Sequence, residues 1–200
     1  MPKHTKQKIF DEALDLLGEQ GFSGLTLGSL AARSNLSKSG LFAHFKSKTE
    51  LEDQLLKEVE LKGAPFIAKA LQMPKGLTRL SNFFEGWIGW TTKAGLKGGC
   101  AIAAGMFEFD DAEENNPTRR ALQNSSIQWH QILLNLCDDA INTGELAADT
   151  DKEQFLFELY GIYLSHHVSL RFHKDPAADQ RAMTAFARLV KDNQERKKRK

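Results

Sequence analysis

Apolar side chains recur at helical spacing along most of the chain, and no segment shows the strict alternation of a half-buried strand. Glycine and proline residues punctuate this pattern, so it divides into successive amphipathic helices. We expect Gly63–Pro65 to kink or interrupt the fourth helix, because proline lacks the amide that a helix interior needs. The predicted helices cover approximately residues 5–20, 26–34, 37–46, 48–62, 75–94, 101–110, 117–142, 151–174 and 176–194. The pattern therefore predicts an all-α fold.

The segment Thr26–Leu51 predicts two short helices around a tight turn, followed at once by a longer helix. Asn35 tolerates the left-handed backbone that a sharp turn needs, and Ser37 can cap the helix that follows it. Leu41 and Phe45 are four residues apart, so they share the buried face of that helix. The opposite face is left for a DNA major groove.

The first turn of this helix carries residues suited to contact with DNA. Lys38 can reach a guanine edge or a phosphate, and Gly40 lets the backbone approach closely. His44 and Lys48 lie towards the DNA backbone, where the first amides of the next helix offer a phosphate site. Each residue alone has an ordinary reading as a cap, a packed side chain or a solvated lysine. Together they favour DNA binding.

This segment resembles the N-terminal domain of tetracycline-repressor-like (TetR) transcriptional regulators. The resemblance follows the pattern Gly21-x4-Thr26-x3-Leu30-Ala31-x4-Leu36-Ser37-x2-Gly40-Leu41-Phe42-x-His44-Phe45-x2-Lys48-x2-Leu51. It implies a three-helix, helix-turn-helix DNA-binding domain over residues 1–48 and a C-terminal helical domain for effector binding and dimerisation over 49–194. We expect the basic tail, 195–200, to be disordered. By the resemblance, DNA contacts belong to Thr26, Ser37, Lys38, Ser39, Gly40, Phe42, His44 and Lys48.

Two positions depart from the family's usual residues. Asn35 stands where the family usually has glycine, a change that the turn should accept. Phe42 stands where the family usually has tyrosine, whose hydroxyl often meets a phosphate; Phe42 can only pack against the DNA backbone. Farther along, Gly98-Gly99-Cys100 followed by Glu108-Phe109-Asp110-Asp111 is similar to one subgroup of these regulators.

The charge of the chain is divided along its length. Residues 1–48 hold 7 basic and 4 acidic side chains, residues 188–200 hold 7 and 2, and residues 49–187 hold 13 and 20. A basic front on an acidic body suits a module that meets phosphate, attached to a body that does not. No apolar run approaches the roughly 18–20 residues that span a bilayer, and the start does not read as a secretory signal. We therefore expect no membrane partner and a cytoplasmic protein, in which Cys100 and Cys137 are buried free thiols rather than a redox pair.

The last two predicted helices carry wide apolar faces. The resemblance implies that such a pair forms the four-helix interface of a homodimer, whereas the sequence alone equally allows an intramolecular core. The predicted interface residues are Phe155, Leu159, Ile162, Tyr163, His166, Met183, Phe186 and Val190.

Aromatic residues are concentrated in the middle helices. Their default role is core packing, but the resemblance implies a cavity for a small-molecule effector, and these rings would suit an apolar or aromatic compound. The predicted lining is Trp87, Trp90, Phe107, Trp129 and Tyr160, with possible polar contacts from Glu108, His130 and His166.

The sequence thus predicts a sequence-specific regulator of double-stranded DNA: a homodimeric repressor on a palindromic operator, released by an effector that shifts the spacing of its DNA-binding domains. The break at Gly63–Pro65 is the candidate joint. Activation instead of repression stays open. One alternative is a nonspecific nucleic-acid-binding protein that uses the tail Arg196–Lys200. An enzyme is a remote alternative, since the chain has no Gly-x-Ser-x-Gly or HExxH motif, and we expect no catalytic residue, cofactor or metal.

Overall fold

The computed structural model describes the backbone of residues 3–195 and the side chains of residues 6–194. Within this range the secondary structure is entirely helical, which confirms the predicted all-α fold. The helices are α1 (Lys3–Gly24), α2 (Leu27–Arg33), α3 (Lys38–Phe42), α4 (Lys48–Leu71), α5 (Leu77–Trp87), α6 (Trp90–Lys93), α7 (Ala101–Glu108), α8 (Pro117–Asn142), α9 (Lys152–Arg171) and α10 (Ala178–Glu195). Nearly all of the predicted basic tail, residues 196–200, lies outside the described residues.

Two helices differ from their predicted bounds. The predicted interruption of α4 does not occur, because the helix continues through Pro65 to Leu71. A proline removes one backbone hydrogen bond from a helix, and the residues on either side still supply the others. The predicted helix over 75–94 is instead divided into α5 and α6, since Ile88 is extended and Gly89 has a φ of 69°.

The chain packs into two compact units. The first comprises the residues up to Gly63 together with Thr91–Ser126, and the second comprises Ala64–Trp90 and the residues from Ile127 onwards. This division differs from the expected boundary at residue 48, because much of α4 and a segment from the middle of the chain pack with the N-terminal helices. We call Thr91–Ser126 the inserted segment.

Helices α1–α3 form the predicted helix-turn-helix within the first unit. The Thr26 hydroxyl accepts a hydrogen bond from the Ser29 amide and the Ser29 hydroxyl accepts one from the Thr26 amide, each at 2.9 Å, so α2 starts with a reciprocal cap. Asn35 makes the turn with a φ of 55°, and the Ser37 hydroxyl caps α3 by accepting from the Gly40 amide at 3.0 Å. The predicted core residues Leu41 and Phe45 are fully buried.

The second unit is built from α5 and the three long C-terminal helices. The rings of Phe84 and Phe186 stack with centroids 4.4 Å apart, which ties α5 to α10. Glu145 accepts a hydrogen bond from the Leu77 amide at 2.7 Å and so caps the start of α5. Among the described residues, no helix is both long and apolar enough to cross a membrane.

Candidate DNA-binding surface

The helix α3 presents one buried and one exposed face. Lys38, Ser39 and Phe42 are exposed, whereas Leu41 is fully buried against the helices beneath it. Phe42 leaves 50% of its surface exposed, so an apolar ring is available on this face. The arrangement provides a short exposed helix on a rigid support, with a cation and small side chains at its first turn.

Two of the predicted contact residues also form hydrogen bonds with backbone amides at the starts of α2 and α3. The Ser37 hydroxyl lies 3.0 Å from the Ser39 hydroxyl besides capping α3, and the Thr26 hydroxyl is engaged with Ser29. Both side chains remain exposed at the edge of the surface. A hydroxyl that accepts an amide hydrogen can still donate its own hydrogen to a phosphate.

The two predicted lysines have different surroundings. A methyl placed on Gly28 would lie 3.6 Å from Cε of Lys38, so the stem of Lys38 extends along the start of α2 over a residue without a side chain. Lys48 is exposed and lies 3.5 Å from a carboxylate oxygen of Glu52, whose other oxygen accepts a 2.6 Å hydrogen bond from Thr118. Lys38 is therefore the less constrained cation of the pair, and His44 is half-buried beside Phe45.

A residue that sequence reasoning missed supports this surface from behind. Arg33, at the end of α2, forms ion pairs with Glu12 at 2.9 Å and with Glu19 at 2.6 Å, both on α1. The hydrogen bonds that Arg33 donates to Glu19 and Glu12 raise its pKa. These contacts join α2 to α1, and the acidic partners were invisible in the sequence because they lie 14 to 21 residues away.

The second unit contains an aromatic cluster around Trp87. Trp87 stacks on Tyr163 with centroids 4.2 Å apart, and it meets Trp129 edge-on at 5.2 Å and Tyr160 edge-on at 5.7 Å. The indole of Trp90 donates a buried hydrogen bond of 3.1 Å to the Tyr163 hydroxyl. The structure thus brings together four of the five predicted effector-lining residues.

The remaining predicted lining residue lies elsewhere. Phe107 belongs to the first unit and leaves 66% of its surface exposed, so it is not part of the cluster. Glu108 is also in the first unit, where it accepts a hydrogen bond from the Phe22 amide of α1. A glutamate on an amphipathic helix carries no local sign of a partner that is distant in sequence.

Two polar atoms of the cluster are buried without a hydrogen-bond partner among the described residues. They are the indole nitrogen of Trp129 and the hydroxyl of Tyr160. Burial raises the pKa of Tyr160 to about 12, so its hydroxyl keeps its hydrogen at neutral pH. Both groups can donate, and buried donors of this kind are normally satisfied by water or by a ligand.

The predicted dimer residues are mostly core residues of the single chain. Six of the eight, Phe155, Leu159, Tyr163, His166, Phe186 and Val190, are buried within it. This burial is that of the chain by itself, and the assignment of these residues to a dimer interface stays a prediction. Ile162 and Met183 are half-buried. The exposed apolar residues of this region lie on another face of α9 and at its end: Phe157, Val168 and Phe172.

An open groove of about 540 Å³ runs between the outer faces of α9 and α10. Small residues line much of it, including Gly161, Ser165, Ala182 and Ala185. Charged residues of both signs stand along it, among them Glu158 and Arg188. The groove offers space for side chains from outside this unit.

The cysteines are buried free thiols, as predicted. The Cys100 sulfur caps α7 by accepting from the Ala103 amide at 3.4 Å. Burial raises the pKa of Cys137 to about 11, which keeps its thiol protonated and unreactive. Among the residues that the structure describes, no three His, Cys, Asp or Glu side chains are grouped in a way that could hold a metal ion.

The fold and the exposed α3 define a helix-turn-helix DNA-binding protein. Comparison with known families places it further: residues 9–55 match the model described as bacterial regulatory proteins, tetR family, and residues 76–186 match the tetracyclin repressor-like C-terminal domain. The second match alone covers more than half of the chain. The chain belongs to the TetR family of transcriptional regulators, which are DNA-binding proteins rather than enzymes.

Curated relatives match a short stretch of the chain. The chain is 40% identical over 52 residues to IcaR of Staphylococcus aureus, the negative transcriptional regulator of the biofilm operon icaADBC; the match covers 26% of this chain and 28% of that protein. The chain therefore matches little more than a quarter of the length of this curated relative.

Solved structures extend the similarity in fold to nearly the whole chain. A TetR regulator from Chloroflexus aurantiacus has a TM-score of 0.83 at 20% identity, with 96% of each chain covered. A transcriptional regulator from Saccharomonospora viridis, solved in complex with choline, has a TM-score of 0.78 at 16% identity, covering 95% of this chain and 97% of that one. At these identities the similarity concerns the fold.

Proposed function

We propose that this protein is a homodimeric repressor that binds a palindromic operator and is released from it by a small apolar or aromatic effector. The observation that carries the proposal is α3, whose exposed Lys38, Ser39 and Phe42 stand on a fully buried Leu41. The similarity of 52 residues of the chain to a named negative regulator supports repression. Action on operator DNA implies a cytoplasmic protein.

The residues of this surface divide into reading and anchoring groups. Lys38, Ser39 and Gly40 stand at the first turn of α3, where recognition helices meet base edges, so we assign them to sequence reading. Lys48 and His44 would contact phosphates, and Phe42 would pack against the sugar. Thr26 and Ser37 would hold the helix starts while they donate to phosphates. Phosphate contacts position the protein, and base contacts specify the sequence.

Dimerisation would use the outer face of the last two helices. Phe157 and Phe172 leave 74% and 81% of their surfaces exposed, which is costly for large apolar side chains in water. The neighbouring groove could receive side chains of a second copy across a two-fold axis, as an isologous interface requires. A species of 22.4 kDa in sedimentation at micromolar concentration would contradict this part of the proposal.

The effector would enter the aromatic cluster. Trp87, Trp129 and Tyr160 supply flat apolar surfaces, and the unpartnered Trp129 and Tyr160 donors call for an acceptor atom on the compound. The choline complex of the S. viridis protein supports a small-molecule ligand in a protein of this fold. Binding must favour a conformation with lower operator affinity, since a ligand with equal affinity for both conformations shifts nothing.

The proposal is tested by mapping the genomic fragments that the purified full chain binds, followed by gel-shift titrations on the best fragment. We expect binding to a palindromic sequence, reduced at least tenfold on random DNA. Lys38→Ala should lose this preference, whereas Lys57→Ala, which removes one exposed lysine of α4 paired with Asp53, serves as the charge-matched control. Equal binding to all fragments would instead favour a nonspecific nucleic-acid-binding protein.

A further inference from the structure

Helix α1 bends shortly before the helix-turn-helix begins. Gly21 has a φ of 72° and a ψ of −178°, a backbone that favours glycine and interrupts the helix. Amides that follow such a bend lose their partners in the preceding turn and must be satisfied from elsewhere. Since α2 and α3 are reached through this bend, its geometry sets where they begin.

A single carboxylate on α7 accepts hydrogen bonds from the amides that follow the bend. Glu108 accepts hydrogen bonds from the Phe22 amide at 2.8 Å, the Ser23 amide at 2.7 Å and the Ser23 hydroxyl at 2.5 Å. Burial by itself would raise the pKa of Glu108, but the hydrogen bonds from Ser23 and Phe22 and the charge of Lys48 together lower it below its ordinary value of 4.5. Glu108 therefore caps the helical turn that follows the bend in α1. It lies 85 residues from Ser23 along the chain.

The inserted segment contacts α1 at further points. A methyl added to Gly18 would lie 2.0 Å from Cα of Gly98, so the two backbones are in direct contact. The ring of Phe22 meets Phe109 edge-on at 5.4 Å. These residues include the Gly98 and Glu108–Phe109 positions whose pattern the sequence singled out. Gly98 and Phe109 both contact the same helix, α1.

The same segment also reaches α4. Thr118 donates to Glu52 at 2.6 Å, and Glu52 lies 3.5 Å from the ammonium of Lys48. Lys48 is one of the proposed phosphate contacts, so the inserted segment holds both the bend of α1 and an anchoring lysine.

We propose that Glu108 is a positioning residue for operator binding. The proposal rests on the proposed function. Glu108 acts through α2 and α3 rather than by touching DNA: it sets the path of the chain into α2, and without its hydrogen bonds to the bend the reading helices lose their position.

The first experiment compares Glu108→Gln with Glu114→Gln, an exposed residue of the same segment that undergoes the same loss of charge. The Gln amide cannot accept from the Phe22 and Ser23 donors together, so we expect operator binding by Glu108→Gln to weaken about tenfold. Its salt dependence should match the wild-type slope, because no phosphate contact is lost. Glu108→Asp should recover part of the affinity, and hydrogen exchange at the Phe22 and Ser23 amides should accelerate in Glu108→Gln.

Operator affinity of Glu108→Gln equal to that of Glu114→Gln overturns the positioning role. Where Glu108→Gln fails to fold, Ser23→Ala replaces it, because it removes only the hydroxyl donor and should weaken operator binding about twofold. Unchanged binding by that variant likewise counts against the proposal. Failure of the wild-type chain to prefer any operator is a separate result, which contradicts the proposed function.

Discussion

The contact between Gly18 and Gly98 makes a sharp stability prediction. In Gly18→Ala the new methyl would lie 2.0 Å from Cα of Gly98, whereas carbon atoms in good contact are about 3.5–4.0 Å apart. The two backbone segments must therefore separate by about 1.5 Å. Both are backbone, so no flexible side chain can move aside.

Two opposing effects set the magnitude. Overpacking of a tight contact costs about 1–3 kcal/mol, and a backbone-to-backbone contact belongs at the upper end of this range. Alanine is about 1 kcal/mol more favourable than glycine inside a helix, and Gly18 is in α1. We expect a net loss of about 2 kcal/mol in the free energy of unfolding, which lowers the Tm of a chain of this size by roughly 4–8 °C.

Thermal unfolding followed by circular dichroism, at one fixed protein concentration, measures this loss. Gly86→Ala is the matched control: a methyl there meets its nearest atoms at 3.7 and 3.8 Å, an ordinary contact, so only the helix gain of up to about 1 kcal/mol remains. Gly98→Ala should cost about 3 kcal/mol, more than Gly18→Ala, because Gly98 lies in a turn and gains nothing from helix propensity. The double variant should cost less than the sum of the two, because the first methyl already separates the backbones. A Gly18→Ala protein as stable as Gly86→Ala refutes the close approach.

Three further predictions concern single side chains. Lys48→Ala should weaken binding to all DNA sequences alike and reduce the salt slope by about 1, whereas Lys38→Ala should cost more on the operator than on random DNA; equal losses for Lys38→Ala would show that it only anchors. Phe42→Tyr restores a hydroxyl at a half-exposed position, so gel-shift titration should show about fivefold tighter binding, and unchanged affinity would place Phe42 away from phosphate. The pKa of Glu108 is lowered in the folded protein, so its stabilising contribution is present above pH 4.5 and is lost as pH falls through the folded value. Urea unfolding of wild type and Glu108→Gln should therefore converge in acid, and a constant difference over that range would contradict the cause assigned to the shift.

The sequence predictions and the structure differ mainly in which partner an apolar or charged face packs against. An apolar stripe on a helix states that the face is buried, and Phe155, Leu159 and Phe186 are buried as expected. It does not indicate which surface packs against the face. These three side chains are buried by other parts of the same chain. Glu108 and Phe107 show the same limit, since a position near aromatic residues in sequence did not place either side chain in their cluster.

The sequence by itself determined the helical pattern, the turn at Asn35, the cap at Ser37, the buried pair Leu41 and Phe45, and the family to which the chain belongs. These features depend on contacts within three or four residues, where backbone geometry dictates which side chains meet. Only the tertiary structure decided that residues 91–126 pack with the N-terminal helices and that Glu108 holds the bend of α1. Such contacts join residues more than eighty positions apart, and they arise from the packing of whole helices rather than from any local preference.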